Sequence, residues 1–338
     1  MGDKIRVLVV DDSQCKRDAI SAILNSDPLI EVVGVAENGK VALEKTLQLK
    51  PRVVTLDLNM PVMDGNEFIV RVMGVTPVSI IVLSGVHESE KTMKALSTGA
   101  MDFISLSQGI EDIRAEITSK VKTAAKVKPI RRVNFKIHPA RLNPVVGTET
   151  KTTKIIAIGS STGGPQALQE VLSALPENLP SGVIIVQHMT KGYVQGLVEW
   201  LAQTLKVAIK VAQEGDVPAK GTVLVAPDDY NLKIDSLGKI ALVTDSTRKM
   251  LHVPSITVMM QSVAEAYGPE SIGVIMTGMG SDGAEGIKAI KKAGGVTIAQ
   301  DEGSSAVFGM NKVAVESGYV DDVVPLEKIA EKIMEHLK

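Results

Sequence analysis

The chain is 338 residues long, enough for about two domains of ordinary size. Hydrophobic residues make up 44% and charged residues 22%, and 37 Lys plus Arg nearly balance 39 Asp plus Glu for a net charge of -2, which excludes a large nucleic-acid-binding surface though not a local basic patch. The single cysteine, Cys15, excludes a disulfide framework and a thiolate-rich metal site, and aromatics at 3% exclude stacking platforms for single strands or sugars; with no apolar run of the ~20 residues a membrane span needs and no N-terminal signal pattern, a soluble, cytoplasmic protein is expected.

Residues 1–122 alternate short apolar runs with stretches of helical spacing. The runs are "KIRVLVVDD", "EVVGVA", "PRVVTLDLNM", "SIIVLSG" and "AMDFISL", and Lys16 to Leu24 and Gly39 to Leu49 lie among the helical stretches between them. Buried-type strands separated by helices predict a five-stranded parallel sheet with flanking helices. Residues 123–152 break the rhythm with three prolines and seven Lys or Arg against one Glu, and read as a basic linker. Residues 153–338 resume it. "TKIIAIG", "SGVIIVQHM", "GTVLVAP", "SIGVIMTG" and "GGVTIAQ" are strand candidates, with helices expected in "PQALQEVLSALP", "GYVQGLVEWLAQTL", "SDGAEGIKAIKKAG" and "PLEKIAEKIMEHL". "YNLKIDSLGKIALVTD" reads as two strands around a Leu-Gly turn, hence an antiparallel hairpin on an otherwise parallel sheet. The fold class is α/β in two domains, the second doubly wound and mostly parallel.

Asp11 and Asp12 end the first strand candidate and Asp57 ends the third. Carboxyl ends of parallel strands share one edge, where ligands bind. Three carboxylates there need compensation, and Mg2+, a hard cation that takes oxygen ligands, supplies it. Asp57 is then a candidate phosphoryl acceptor, and Ser84, ending "SIIVLS", a candidate donor to a phosphoryl oxygen. Taken singly, each is also an ordinary turn or cap residue. This constellation resembles the receiver domain of two-component response regulators. The resemblance rests on Asp11, Asp12, Asp57, the "NMPVMDG" loop with Met60, Pro61 and Gly65, and Ser84, and it implies a switch aromatic at Phe103. The family's phosphoryl-contacting lysine, followed by proline, falls on Leu106 and Ser107. Leucine offers neither charge nor donor, so the resemblance implies Mg2+ binding and phosphorylation at Asp57 with a weakened conformational response.

In "TKIIAIGSSTGGPQALQEVL" a strand ends at a Ser-Ser-Thr-Gly-Gly turn, with Pro165 at the first helical turn. A serine here can attack a carbonyl, with turn N–H groups, at Thr162 and Gly163, receiving the oxyanion. The same turn can instead cradle a phosphate or dinucleotide, although the full dinucleotide fingerprint and the P-loop lysine are missing. Of the five histidines, His188 ends a strand candidate and shares the edge that carries Ser161, with His252 its only rival as base. Asp282, in the next Gly-rich strand-to-helix turn, either orients that histidine or caps its helix. The chain order Ser, His, Asp and the lack of a "GxSxG" elbow separate this set from α/β-hydrolases.

The strings "IGSSTGGPQAL", "VIIVQHM", "VLVAPDDYNL" and "GVIMTGMGSDGAEGI" resemble the catalytic domain of the chemotaxis protein-glutamate methylesterases, and with the receiver domain in front the resemblance spans essentially the whole chain. It implies Ser161 as nucleophile, His188 as base, Asp282 as orienting acid and the backbone of Met279 as oxyanion contributor. It further implies hydrolysis of glutamyl methyl esters on chemoreceptor cytoplasmic helices, and in many members deamidation of receptor glutamines. Its implied partners are methylated chemoreceptors and the pathway's histidine kinase as phosphodonor, with membrane contact only through the receptors. Ester hydrolysis needs no cofactor; Mg2+ serves phosphorylation. The competing reading is a two-domain response regulator or scaffold whose second domain binds a nucleotide without catalysis.

Overall fold

The computed structural model describes residues 3–85, 88–107, 109–127, 152–244 and 252–338. The chain divides into two compact units, Met1–Phe135 and Lys136–Lys338. Of the expected linker, Thr123 and Ala124 close the last helix of the first unit, while residues 128–151 lie outside the described residues.

The first unit alternates strand and helix throughout: β1 (Ile5–Val10), α1 (Gln14–Asn25), β2 (Ile30–Ala36), α2 (Gly39–Leu49), β3 (Val53–Asp57), α3 (Gly65–Val75), β4 (Ser79–Ser84), α4 (Ser89–Thr98), β5 (Asp102–Ser105) and α5 (Arg114–Ala124). The sheet order is β2-β1-β3-β4-β5 with every ladder parallel. Residues 7–10 of β1 and all of β3 and β4 are buried, as strands covered by helices on both faces must be. The chain builds outward from β1 in both directions, so the β1/β3 boundary is the switch point, where a crevice opens at the carboxyl ends of the strands.

The second unit contains β6 (Ile155–Ser160), α6 (Gly164–Ala174), β7 (Gly182–Gln187), α7 (Val194–Ala202), β8 (Ala208–Val211), β9 (Thr222–Val225), β10 (Asn231–Ile234), β11 (Ile240–Val243), α8 (Ile256–Tyr267), β12 (Ser271–Ile275), α9 (Ala284–Lys292), β13 (Val296–Gln300), α10 (Met310–Glu316), β14 (Asp322–Val324) and α11 (Ile329–His336). Seven strands form one parallel sheet in the order β14-β13-β12-β6-β7-β9-β8. The antiparallel hairpin β10–β11 is a two-stranded sheet of its own. Leu232, Ile234 and Ile240 of the hairpin share a core with Met259 and Val263 of α8, and Ile234 N–H donates to Ser262 Oγ at 3.0 Å. β6, fully buried, lies between β7 and β12, so its carboxyl end marks the switch point of this sheet.

Four elements carry no clear sequence signal. β8 and β14 are short, half-exposed edge strands without a continuous apolar run. α10 has only seven residues. α8, "ITVMMQSVAEAY", is too apolar in its first half for its helical stripe to stand out from a strand-like run.

Candidate active site

The ends of β6 and β7 are clamped by one side chain. Ser160, fully buried, donates from Oγ to Gln187 Oε1 at 2.6 Å, and Gln187 Nε2 donates to the carbonyls of Ser161 at 2.9 Å and His188 at 2.7 Å. Ser161 is half-buried, and its N–H donates to the Thr277 carbonyl beyond β12 at 3.0 Å. Three strand ends therefore meet around Ser161. The turn into α6 then requires glycine twice. Gly163 has φ of +76°, and a Cβ there would stand 2.5 Å from Ala306 Cβ; a Cβ on Gly164 would stand 1.9 Å from Gln187 Oε1. The N–H groups of Thr162 and Gly163 make no hydrogen bond within the described residues, while the Thr162 carbonyl is held by Thr277 Oγ1 at 2.9 Å. The backbone of residues 278 and 279 passes against the serine: a Cβ on Gly278 would lie 2.7 Å from Ser161 Cβ. Met279 itself is exposed.

His188 N–H donates to the Ser160 carbonyl at 2.9 Å, and its ring reaches Asp282, with Nε2 3.0 Å from Oδ2. A carboxylate only accepts, so Nε2 carries the proton of the neutral ring. Nδ1 is buried and has no hydrogen-bond partner. The Asp282 contact is thus made, while Ser161 Oγ makes no hydrogen bond to the ring.

Asp282 reaches the histidine, and the helix it caps is α8, not its own. Oδ2 accepts from Ile256 N–H at 2.8 Å, and Oδ1 from Thr257 N–H at 3.0 Å and Ser255 Oγ at 3.1 Å, so the carboxylate sits on the N-terminus of α8. Gly283 N–H, at 2.9 Å, is a further donor to Oδ1. Burial works to raise this carboxyl, but the hydrogen bonds from His188 and Thr257 outweigh it and hold the group far below the usual carboxylate range. His252, the rival base, stacks on the His188 ring instead, centroids 4.4 Å apart and planes inclined by 23°.

The model for CheB methylesterase matches residues 156–333, and that for the response regulator receiver domain matches residues 7–118. The chain belongs to the CheB methylesterase family. It is 42% identical over 98% of its length to a protein-glutamate methylesterase/protein-glutamine glutaminase of Pyrococcus abyssi, covering 94% of that protein, and 41% identical to the one of Halalkalibacterium halodurans over all of both chains. Among solved structures, the catalytic domain of Thermotoga maritima CheB methylesterase is similar at 39% identity with a TM-score of 0.52, covering 54% of this chain and 97% of that one. The chain is a two-domain response regulator with a CheB methylesterase domain.

In the receiver unit of this CheB-family chain, Asp11, Asp12 and Asp57 bring carboxylate oxygens within 4.8 Å of one another. Burial, and then the charge of Asp11, push the Asp57 carboxyl up to about 6. Asp11 is likewise raised by burial, and its Oδ2 is buried without a hydrogen bond. An all-oxygen set with excess negative charge and a buried acceptor that lacks a hydrogen bond fits a divalent cation such as Mg2+. Ser84 ends β4 with Oγ 2.8 Å from Thr92 Oγ1 and 3.3 Å from Glu88 Oε2. Phe103 is buried, with Lys120 Nζ 5.7 Å from its ring centre and 2.6 Å from its carbonyl. Leu106 packs against the first unit's core.

Sequence reasoning missed the Gln187 clamp, the Thr277 anchor and the α8 N-terminus. Ser255 ahead of an apolar stretch was the available signal for the last, since it caps α8 by accepting from Val258 N–H.

Proposed function

We propose that the second unit hydrolyses γ-glutamyl methyl esters on chemoreceptor cytoplasmic helices, releasing methanol, with Ser161 as nucleophile, His188 as general base and Asp282 as its orienting acid. The observation that carries this reading is the His188–Asp282 pair at the switch point beside Ser161, with Nδ1 buried and unpartnered. As Ser161 Oγ bonds to the ester carbonyl carbon, its proton passes to His188 Nδ1. The carbonyl oxygen becomes an oxyanion, received by the N–H groups of Thr162, Gly163 and Met279. The adduct collapses with cleavage of the carbon–methoxy bond; the leaving oxygen takes the proton from Nδ1, and methanol departs. Water then gives a proton to Nδ1 and attacks the acyl carbon; the carbon–Oγ bond breaks, Oγ takes the proton back from Nδ1, and glutamate and Ser161 are freed. Asp282, ionised throughout, offsets the imidazolium charge in both halves. The Ser161–His188 contact tightens as substrate fills the site. Glutamine deamidation follows the same course with ammonia leaving, and the names of the relatives favour this second activity.

Residues 1–122 act as the receiver, 123–152 as a linker and 153–338 as the catalytic domain, in the cytoplasm. Asp57 accepts a phosphoryl group from the chemotaxis histidine kinase. Asp11, Asp12 and Asp57 hold Mg2+, which neutralises charge during phosphoryl transfer. Ser84 and Phe103 take the switch positions. Among the described residues no helix is long and apolar enough to cross a membrane. The test is methanol release from methylated receptor membranes. Ser161→Ala should lower it by roughly 10^4-fold or more; equal rates would defeat the hydrolase reading and leave nucleotide binding as the alternative for the turn.

A further inference from the structure

Among the described residues, Lys16 is the cation that pairs with a carboxylate of the acidic pocket of the first unit. Lys16 Nζ lies 3.5 Å from Asp11 Oδ2, the buried oxygen without a hydrogen bond. The Lys16 side chain is partly exposed, whereas Asp11 is buried and its Oδ1 accepts from Ser13 N–H at 2.9 Å. Nearby cations are engaged elsewhere. Arg17 Nη1 donates to the carbonyls of Asp11 and Asp12 at 2.7 and 3.0 Å, Lys91 donates to Asn59, and Lys120 is held by Asp102 and the Phe103 carbonyl. Leu106, next after β5, brings no charge.

We propose that Lys16, from the first turn of α1, is the protein cation that binds the phosphoryl oxygens on Asp57. This rests on the reading of Asp57 as phosphoacceptor. In the step, an Asp57 carboxylate oxygen forms the new bond to phosphorus while the bond from phosphorus to the donor breaks, at nitrogen for a phosphohistidine and at oxygen for acetyl phosphate, the donor leaving with the electron pair. The acyl phosphate that forms on Asp57 carries roughly two negative charges beside the carboxylates of Asp11 and Asp12. Asp11 would be freed to hold a divalent cation as the flexible Lys16 stem, with three donors, carries its charge to the phosphoryl oxygens. Lys16 belongs to α1, so it neutralises the phosphoryl group without drawing β5 inward.

The experiment uses the full chain with acetyl phosphate and Mg2+, following phosphorylation by intact mass and Mg2+ affinity by calorimetry without phosphodonor. In Lys16→Met, phosphorylation should slow about tenfold, the loss of one charge-assisted contact, while Mg2+ binds several-fold more tightly because a competing cation is gone. Lys16→Arg should stay near the parent on both readouts, and Leu106→Lys added to Lys16→Met should recover phosphorylation. A parent that is phosphorylated, with Lys16→Met matching its rate, overturns the assignment of Lys16 and leaves Asp57 standing. A parent that gains no phosphoryl group, or gains it equally in Asp57→Ala, overturns the Asp57 reading and the Lys16 assignment with it.

Discussion

Asp282 ties the chemistry of the second unit to its scaffold: one carboxylate orients the His188 ring and collects the free N–H groups of α8. Asp282→Asn keeps the shape but turns one oxygen into a donor that cannot accept from both sides. It should lower the methylesterase rate by roughly 10^3- to 10^4-fold, as amide replacement of a buried orienting acid does by favouring the wrong tautomer; a change under tenfold would remove Asp282 from the proposed mechanism. His252 tests a different contact. Burial, and then the neighbouring His188, hold its proton affinity below that of free imidazole, so at neutral pH it stacks as an uncharged ring. His252→Phe should keep the rate within a few-fold, while His252→Ala, which loses the plate but no proton carrier, should fall further. Equal losses in both would mean that stacking is not its role. Asp57 gives a pH prediction. Its folded value, about 6 against an ordinary 3.8, lies above that of the unfolded chain, so its ionisation lowers stability as pH rises through that window, by at most about 3 kcal/mol above pH 6. Denaturant unfolding should show Asp57→Asn more stable than the parent at pH 7 to 8 and equal to it below about pH 4; a gain that is the same at every pH would contradict the burial argument.

At the level of elements, α8 is the piece on which the site leans and the one the sequence conceals. Its first residue, Ile256, packs directly on β6: a Cβ on Gly159 would stand 2.2 Å from Ile256 Cγ2. Gly159→Ala must push the α8 N-terminus off the sheet and pull Asp282 with it. The expected cost is about 1–3 kcal/mol of stability, accompanied by loss of activity out of proportion to the folded fraction, read by comparing thermal melting with methanol release. Normal activity in a normally folded variant would show that the α8 collar is not what aims Asp282. The strands that position the chemistry were legible, because β6, β7 and β12 are apolar runs buried on both faces. α8 was not, because its identity as a helix is settled by the hairpin and sheet packed around it and by the carboxylate at its end.

Across the whole molecule, the receiver unit ahead of the CheB methylesterase unit implies regulation, and the chemistry next to β5 sets its expected size. With Leu106 half-buried against the core and charge supplied from α1, phosphorylation should proceed while pulling little on β4 and β5. A phosphodonor with Mg2+ is therefore expected to raise the methylesterase rate of the parent only about two- to threefold, the reach of a coupling below 1 kcal/mol, and Leu106→Lys should enlarge that response. A large activation in the parent, abolished by Asp57→Ala, would show that Leu106 does not weaken the switch.

The amino-acid order alone was enough for two α/β units, for Asp11, Asp12 and Asp57 on one sheet edge, and for Ser161, His188 and Asp282 on another, because buried strands and Gly-rich turns are local patterns and parallel strands share their carboxyl ends. Which ring nitrogen faces Asp282, that His252 stacks on His188, that Asp282 caps α8 and not its own helix, and that Lys16 reaches Asp11 were decided only by the tertiary structure. Each is a contact between side chains on separate elements, and its geometry depends on packing that no local pattern encodes.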